Sequence, residues 1–243
     1  LAEAKKGLRG SKIRFPSISV GATENVIIAA SLAKGTTYLK NCACEPEIKN
    51  LTNFLKNMGA KITWHKRREI KIVGIQKFKP VNHNIMFDRI EAGTFIIAAA
   101  LAGKKIKICG LDVNILKTEI KILKKMGVSL KISKNEIQVL NSKNIKPIFI
   151  KTEPYPGFPT DLQAQIMVLM TKAKGISRIR ENIFENRFMH VPELNRMGAK
   201  IKIFGNSSTV VGPQDLNGAE VMATDLRASV SLVLAGLIAN DKT

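Results

Sequence analysis

Asp161–Ile179 reads DLQAQIMVLMTKAKGISRI. An acidic start is followed by an uncharged apolar run from Leu162 to Thr171, then by Lys-Ala-Lys-Gly and a short β-branched, basic tail. Glycine just past an apolar helical run is the expected left-handed stop, and the β-prone residues beyond it read as a strand. The pattern recurs. Glu24–Asn41 is ENVIIAASLAKGTTYLKN, Glu91–Ile108 is EAGTFIIAAALAGKKIKI, and Asp225–Thr243 is DLRASVSLVLAGLIANDKT. Gly35, Gly103 and Gly175 stand 68 and 72 residues apart, and Asn240 follows 65 later in the equivalent place.

A second pattern interleaves with the first. Leu51–Ile62 (LTNFLKNMGAKI), Ile120–Ile132 (IKILKKMGVSLKI) and Val191–Ile203 (VPELNRMGAKIKI) each carry Met-Gly-Ala/Val after an amphipathic stretch. Met58, Met126 and Met197 are 68 and 71 apart. The repeating unit is therefore strand, apolar helix, strand, amphipathic helix and two strands, and a repeat of this kind governs the fold. The first helix of each unit is apolar nearly all round, which predicts burial inside a domain. A doubly wound sheet is excluded, because strands run two at a time without a helix between them. The spacing predicts that residues 87–243 form one domain, with the helices at Glu91, Asp161 and Asp225 packed together, and that residues 1–86 belong to another. The final unit stops after its first helix, and both ends read as truncation points.

The 243 residues are 45% hydrophobic, enough for a substantial core. No apolar run approaches the ~20 residues of a membrane span, and the expected location is cytoplasmic. Cys42, Cys44 and Cys109 are too few for a disulfide framework. Cys42-Ala43-Cys44 has no partner ligands at zinc spacing, so neither a metal nor another cofactor is expected. The formal charge is +20. Lysine supplies 29 of the 39 cationic residues, scattered among Ile and Asn, a pattern that AT-rich coding also produces. With aromatics at 5%, stacking platforms are scarce. Compositional drift ranks first as the cause of the charge, an anionic small substrate second and nucleic acid third.

The chemistry concentrates at the helix starts. Ser19-Val20-Gly21-Ala22-Thr23, Asp88–Thr94, Phe158-Pro159-Thr160-Asp161 and Ala223–Arg227 each lead into an apolar helix. Helix N-termini offer unpaired N–H groups and a positive dipole end, suited to phosphate and carboxylate. Ordinary capping by Ser, Thr and Asp is the competing reading for each loop taken alone. Phe184–Leu194 (FENRFMHVPEL) is the other dense segment. Arg187 and Arg227 carry the rigid fork that matches oxyanions, whereas His190 reads first as a core histidine. Neither a nucleophile elbow nor a phosphate-binding glycine loop is present.

SVGATEN, CEPEI, DRIEAGTF, PGFPTDLQAQ, FENRFMHVPEL and ATDLRAS, in that order, resemble the UDP-N-acetylglucosamine enolpyruvyl transferase family, and these motifs extend from Ser19 into the last helix. The resemblance implies an α/β fold, a two-domain inside-out α/β barrel built from repeated βαβαββ units. Residues 1–86 would be the last unit of the first domain, which carries the family's reactive cysteine. Residues 87–243 would be two units and half of a third in the second domain. The implied reaction moves the enolpyruvyl group of phosphoenolpyruvate to the 3′-hydroxyl of UDP-N-acetylglucosamine, the first committed step of peptidoglycan biosynthesis, without a cofactor. By matched motif, Asp161 would be the catalytic base. Ser17, Ser19, Val20 and Gly21 would line the nucleotide site, although the family usually has Lys where Ser17 stands. Ile183 and Phe184 would pack near the nucleotide sugar, and Arg187, Asp225, Leu226 and Arg227 would lie on the phosphoenolpyruvate side. The reactive cysteine and a further substrate-binding arginine match nothing between Leu1 and Thr243, so these residues alone are expected to be inactive. The alternatives are a nucleotide-sugar-binding remnant without catalysis and a basic nucleic-acid-binding repeat protein. No nucleic acid is expected as a partner, and the sequence leaves the oligomeric state undetermined.

Overall fold

The computed structural model describes residues 4–223 and 225–243. It divides between Met86 and Phe87 into two units, each with its own apolar core.

In the first unit the predicted pattern occurs once in full. β1 (Lys12–Arg14) leads to α1 (Val20–Ser31) and β2 (Thr36–Lys40), then α2 (Pro46–Asn57), β3 (Lys61–Lys66) and β4 (Glu69–Val73). The sheet order is β1-β2-β4-β3. β1 runs parallel to β2 across the α1 crossover, and the later pairs are antiparallel. Pro46 sits in the first turn of α2, where its missing N–H costs nothing. Ile48, Thr52 and Leu55 form the buried stripe of α2 at helical spacing. β4 alternates, turning Ile70 and Ile72 inward onto Ile27, Leu39 and Ile62.

The second unit holds α3 (Arg89–Ala102), β5 (Ile106–Cys109), α4 (Lys117–Lys125), β6 (Leu130–Ser133) and β7 (Glu136–Val139). These are followed by β8 (Phe149–Lys151), a 3-10 turn (Thr160–Leu162), α5 (Gln163–Met170), β9 (Gly175–Arg180), α6 (Val191–Arg196), β10 (Lys200–Phe204), β11 (Ser207–Gly212) and α7 (Leu226–Gly236). Its four-stranded sheet has the order β8-β9-β11-β10, with β8 parallel to β9 and the other pairs antiparallel. That is the topology of the first unit repeated. The strands β5-β7-β6 form a three-stranded version. α5 packs between α3 and α7, and all eight of its residues are buried.

Burial all round, expected for every first helix, holds fully only for α5. α1 packs mainly on α2 and β4, and Ile28 and Leu32 on its other side are exposed. α7 meets α5 and α6 but leaves Val233 and Leu237 in solvent. A helix is enclosed only when helices flank it on both sides, and the composition of a single helix does not encode that. Several element ends also differ from expectation: α1 ends at Ser31 and α5 at Met170, before Gly35 and Gly175, and of the three expected glycine stops only Gly103 is the left-handed cap itself. α5 begins at Gln163, because Thr160–Leu162 adopts the tighter 3-10 turn. α7 ends at Gly236, so Asn240 does not stop it and instead bridges to Asn217.

Candidate functional site

Three of the four helix starts are capped by their own side chains. Ser19 Oγ accepts from the Ala22 N–H at 3.3 Å. Asp88 accepts from Ile90 and Glu91 at 2.7 and 3.3 Å. Asp225 accepts from Arg227 and Ala228 at 2.7 and 3.0 Å. Burial pushes the Asp225 carboxyl up, but those two N–H groups together with Arg187 and His190 bring it below the ordinary carboxylate range. The capping reading is therefore correct for these three residues.

Asp161 is the exception. It lies inside the 3-10 turn and makes no side-chain cap. One carboxylate oxygen accepts from Arg187 Nη2 at 2.7 Å, and the other accepts from Arg227 Nη2 at 2.8 Å. The two arginines come from different elements. Arg187 lies in the loop before α6, and Arg227 in the first turn of α7, placed there by the Asp225 cap. Their side chains are 13% and 27% exposed against 38% for Asp161, so the cluster sits at a surface with the carboxylate as its most open member. The Arg187 guanidinium also lies over the Phe184 ring, 4.7 Å from its centroid.

Ile183, Phe184 and Arg187 line a cleft of about 960 Å³ formed by residues 181–189 with Ile203, Gly205 and Asn206. Ile183 and Phe184 are exposed, as is Leu226. An apolar wall beside an ion-pair cluster suits a ligand that is part ring and part anion. The second unit thus brings Asp161, Arg187 and Arg227 into direct contact, with Phe184 stacked on one arginine and Asp225 fixing the helix that carries the other. In the first unit Ser17, Ser19, Val20 and Gly21 gather at the N-terminal end of α1, with Ser17, Val20 and Gly21 exposed. A side chain at Gly21 would meet nothing within 4 Å, so the backbone there is open to a ligand.

His190 is a core residue. It is 1% exposed, with Nε2 3.2 Å from Met167 Sδ. Cys42 and Cys44 are buried thiols outside any disulfide, and burial pushes Cys42 up to about 11, which makes it a poor nucleophile. Among the described residues no cluster of His, Cys, Asp or Glu could hold a metal. No helix there is long and apolar enough to cross a membrane. Sequence reasoning missed Glu181, a buried acid bonded to both Thr160 and the Ile183–Phe184 turn. The only sequence signal was an acidic residue immediately after a strand, which ordinarily marks a solvated loop.

The profile of the EPSP synthase family (3-phosphoshikimate 1-carboxyvinyltransferase) matches residues 2–243. The chain is 60% identical over 242 residues to a UDP-N-acetylglucosamine 1-carboxyvinyltransferase of Pelagibacter ubique, covering 100% of this chain and 58% of that protein. It is 51% identical over 245 residues to the protein of the same name from Bartonella tribocorum, covering 57% of it. The chain thus spans well under two thirds of the length of these curated relatives. The crystal structure of the enolpyruvyl transferase NikO from Streptomyces tendae superposes with a TM-score of 0.89 at 26% identity, over 96% of this chain and 59% of that one.

Proposed function

Because this chain belongs to the EPSP synthase family, we propose that it serves the transfer of an enolpyruvyl group from phosphoenolpyruvate to the 3′-hydroxyl of UDP-N-acetylglucosamine. The observation that carries this reading is the Asp161 carboxylate held between Arg187 and Arg227. The names of the curated relatives support UDP-N-acetylglucosamine as the acceptor. A cytoplasmic location and a place at the entry to peptidoglycan biosynthesis, with its bearing on cell shape and division, belong to the same proposal. So does the assignment of residues 1–86 to the domain that carries the reactive cysteine in the resembled family, and of residues 87–243 to the other domain.

The chemistry asks for a base and for cations. The bond formed joins the sugar oxygen to the enolpyruvyl carbon. The bond broken joins that carbon to the phosphate oxygen, and the hydroxyl proton leaves finally with phosphate. Both substrates are anionic, and Arg187 and Arg227 present forked donors suited to phosphate and carboxylate. An ionised carboxylate offers about four lone-pair sites. The arginines take one on each oxygen, which leaves capacity on Asp161 for the 3′-hydroxyl. A base already held in place removes much of the entropic cost of meeting that hydroxyl. The exposed Ile183–Phe184 pair offers apolar area for the sugar nucleotide. In the first unit, Ser17, Ser19, Val20 and Gly21 offer polar groups and a helix N-terminus suited to the phosphates of a nucleotide.

Asp161→Asn in the full-length protein tests this. Asparagine keeps the shape and one acceptor but cannot take the proton. Phosphate release from phosphoenolpyruvate should fall by ~10²–10⁴-fold, while calorimetric binding of UDP-N-acetylglucosamine persists and the unfolding temperature changes little. Near-normal turnover of the variant would remove Asp161 from the base role. Binding of UDP-N-acetylglucosamine by the unsubstituted protein without any phosphate release would favour a binding remnant over an enzyme.

A further inference from the structure

We propose that Glu181 is a positioning residue that sets the Asp161 segment against the Ile183–Phe184 wall of the cleft, a role that rests on the function proposed above for Asp161. Glu181 follows β9 and is 4% exposed. A buried carboxylate is costly unless its lone pairs are matched. Here they are matched by donors from three separate stretches of chain. Oε1 accepts from the Thr152 hydroxyl at 2.6 Å, the Ile183 N–H at 2.9 Å and the Phe184 N–H at 3.1 Å. Oε2 accepts from the Thr160 hydroxyl at 2.9 Å. Thr152 is itself buried, and its hydroxyl accepts from the Asn182 N–H at 2.9 Å.

Three donors crowd Oε1 and one bonds Oε2, and the whole side chain is buried, so Glu181 acts through its neighbours. It reaches Asp161 by two routes. One passes through Thr160, the residue immediately before Asp161. The other passes through the Phe184 backbone to the ring beneath Arg187, whose guanidinium holds Asp161 Oδ1. Charge-assisted bonds of this kind are the stronger ones available to a fold. Both the base and the apolar wall thus hang on one carboxylate, so their separation is fixed before any substrate arrives.

Thr160→Val removes the single donor on the Asp161 side and leaves the three donors to Oε1 in place. Thr160→Ser keeps the hydroxyl. In the full-length protein, valine should lower kcat for phosphate release by about 10- to 100-fold, as expected for a base displaced by a fraction of an ångström to an ångström. The KM for UDP-N-acetylglucosamine should change far less, and serine should restore the rate. Crystal structures of both variants give a readout independent of activity. The Asp161 carboxylate should leave Arg187 and Arg227 in the valine variant and stay on them in the serine variant. An unmoved carboxylate in Thr160→Val, an unchanged kcat, or an equal loss in both variants overturns the positioning role. If the unsubstituted protein releases no phosphate, the proposed function falls, and the two crystal structures alone decide what Glu181 does. Should Thr160→Val not fold, Glu181→Gln replaces it. An amide at Oε2 loses the charge-assisted bond to Thr160, and the same displacement of Asp161 is required.

Discussion

The segment that carries Arg187 also carries His190, three residues later and turned the other way, into the core. The enclosure of His190 has a measurable consequence for stability. Burial lowers its pKa from 6.5 to about 4; Asp225 pulls it upward and Arg187 pushes it further down. In the unfolded chain the imidazole takes a proton near pH 6.5, whereas in the fold it resists until about pH 4. Between those values the unfolded state binds more protons, so stability falls as the pH drops from 6.5 to 4 and this contribution then levels off. At 1.36 kcal/mol per pH unit the loss amounts to at most about 3 kcal/mol. Asp225 acts with the same sign but in a lower window. Its depressed pKa contributes stability above its unfolded value of 3.8, which is lost as the pH falls through the folded value. The two effects are therefore separable. Denaturant unfolding at constant ionic strength should show the decline from pH 6.5 to 4 in the wild type and a flatter profile in His190→Gln. Parallel declines in the two proteins would mean that another group titrates in that window.

The Met-Gly stops decide where each amphipathic helix hands over to a strand, and they are not equally tolerant of change. Gly127 and Gly198 both have positive φ, +87° and +94°, a conformation that glycine adopts without strain. A Cβ at Gly198 would find only ordinary contact, with its nearest neighbour the Asp215 carbonyl oxygen at 3.6 Å. At Gly127 it would lie 2.6 Å from the Asn144 carbonyl oxygen, and backbone cannot swing aside as a side-chain tip can. Gly198→Ala should cost about 1 kcal/mol from the dihedral alone, and Gly127→Ala should cost more, up to ~3 kcal/mol. Urea titrations of the two variants check the order, and equal losses would show that the Asn144 loop yields freely. These glycines also explain why the unit was legible from sequence: a stop codon for helices at regular spacing, flanked by apolar runs, needs no tertiary information. Exposure of Ile28 and Val233 did need it, because it depends on which helices flank α1 and α7. Glu181 was illegible for the same reason, since its donors lie at positions 152, 160, 183 and 184 and meet only after β8 and β9 pair. At Asp161 the sequence offered two readings, cap and base. Geometry removes the first, because the carboxylate bonds to arginines rather than to helix N–H groups.

Across the whole molecule the +20 charge is distributed in two ways. Most lysines stand on solvent faces, such as Lys117, Lys121, Lys124 and Lys125 on α4 and Lys151, Lys200 and Lys202 on the outer face of the β8–β11 sheet. Arg187 and Arg227 instead turn toward Asp161 and are partly enclosed. Cations of the first kind attract any polyanion, and those of the second kind recognise an oxyanion by geometry. The two respond differently to salt. A polyanion bound by scattered surface lysines releases condensed counterions, so its affinity falls steeply with ionic strength, by ~10³–10⁵-fold between 50 and 200 mM for six to ten phosphate contacts. A small anion held by two forked arginines releases few ions and loses far less. Fluorescence anisotropy with unrelated DNA duplexes should therefore give binding at low salt that ignores sequence and weakens to no tighter than ~10⁻⁶ M at physiological salt. Calorimetry with phosphoenolpyruvate on the full-length protein should change only modestly over the same range. Arg187→Lys separates the two kinds of cation further. It keeps the charge but removes the fork, so the duplex titration should be unaltered while function at the Asp161 cluster falls. A duplex complex that survives 200 mM salt and prefers one sequence would assign the surface charge to nucleic acid after all.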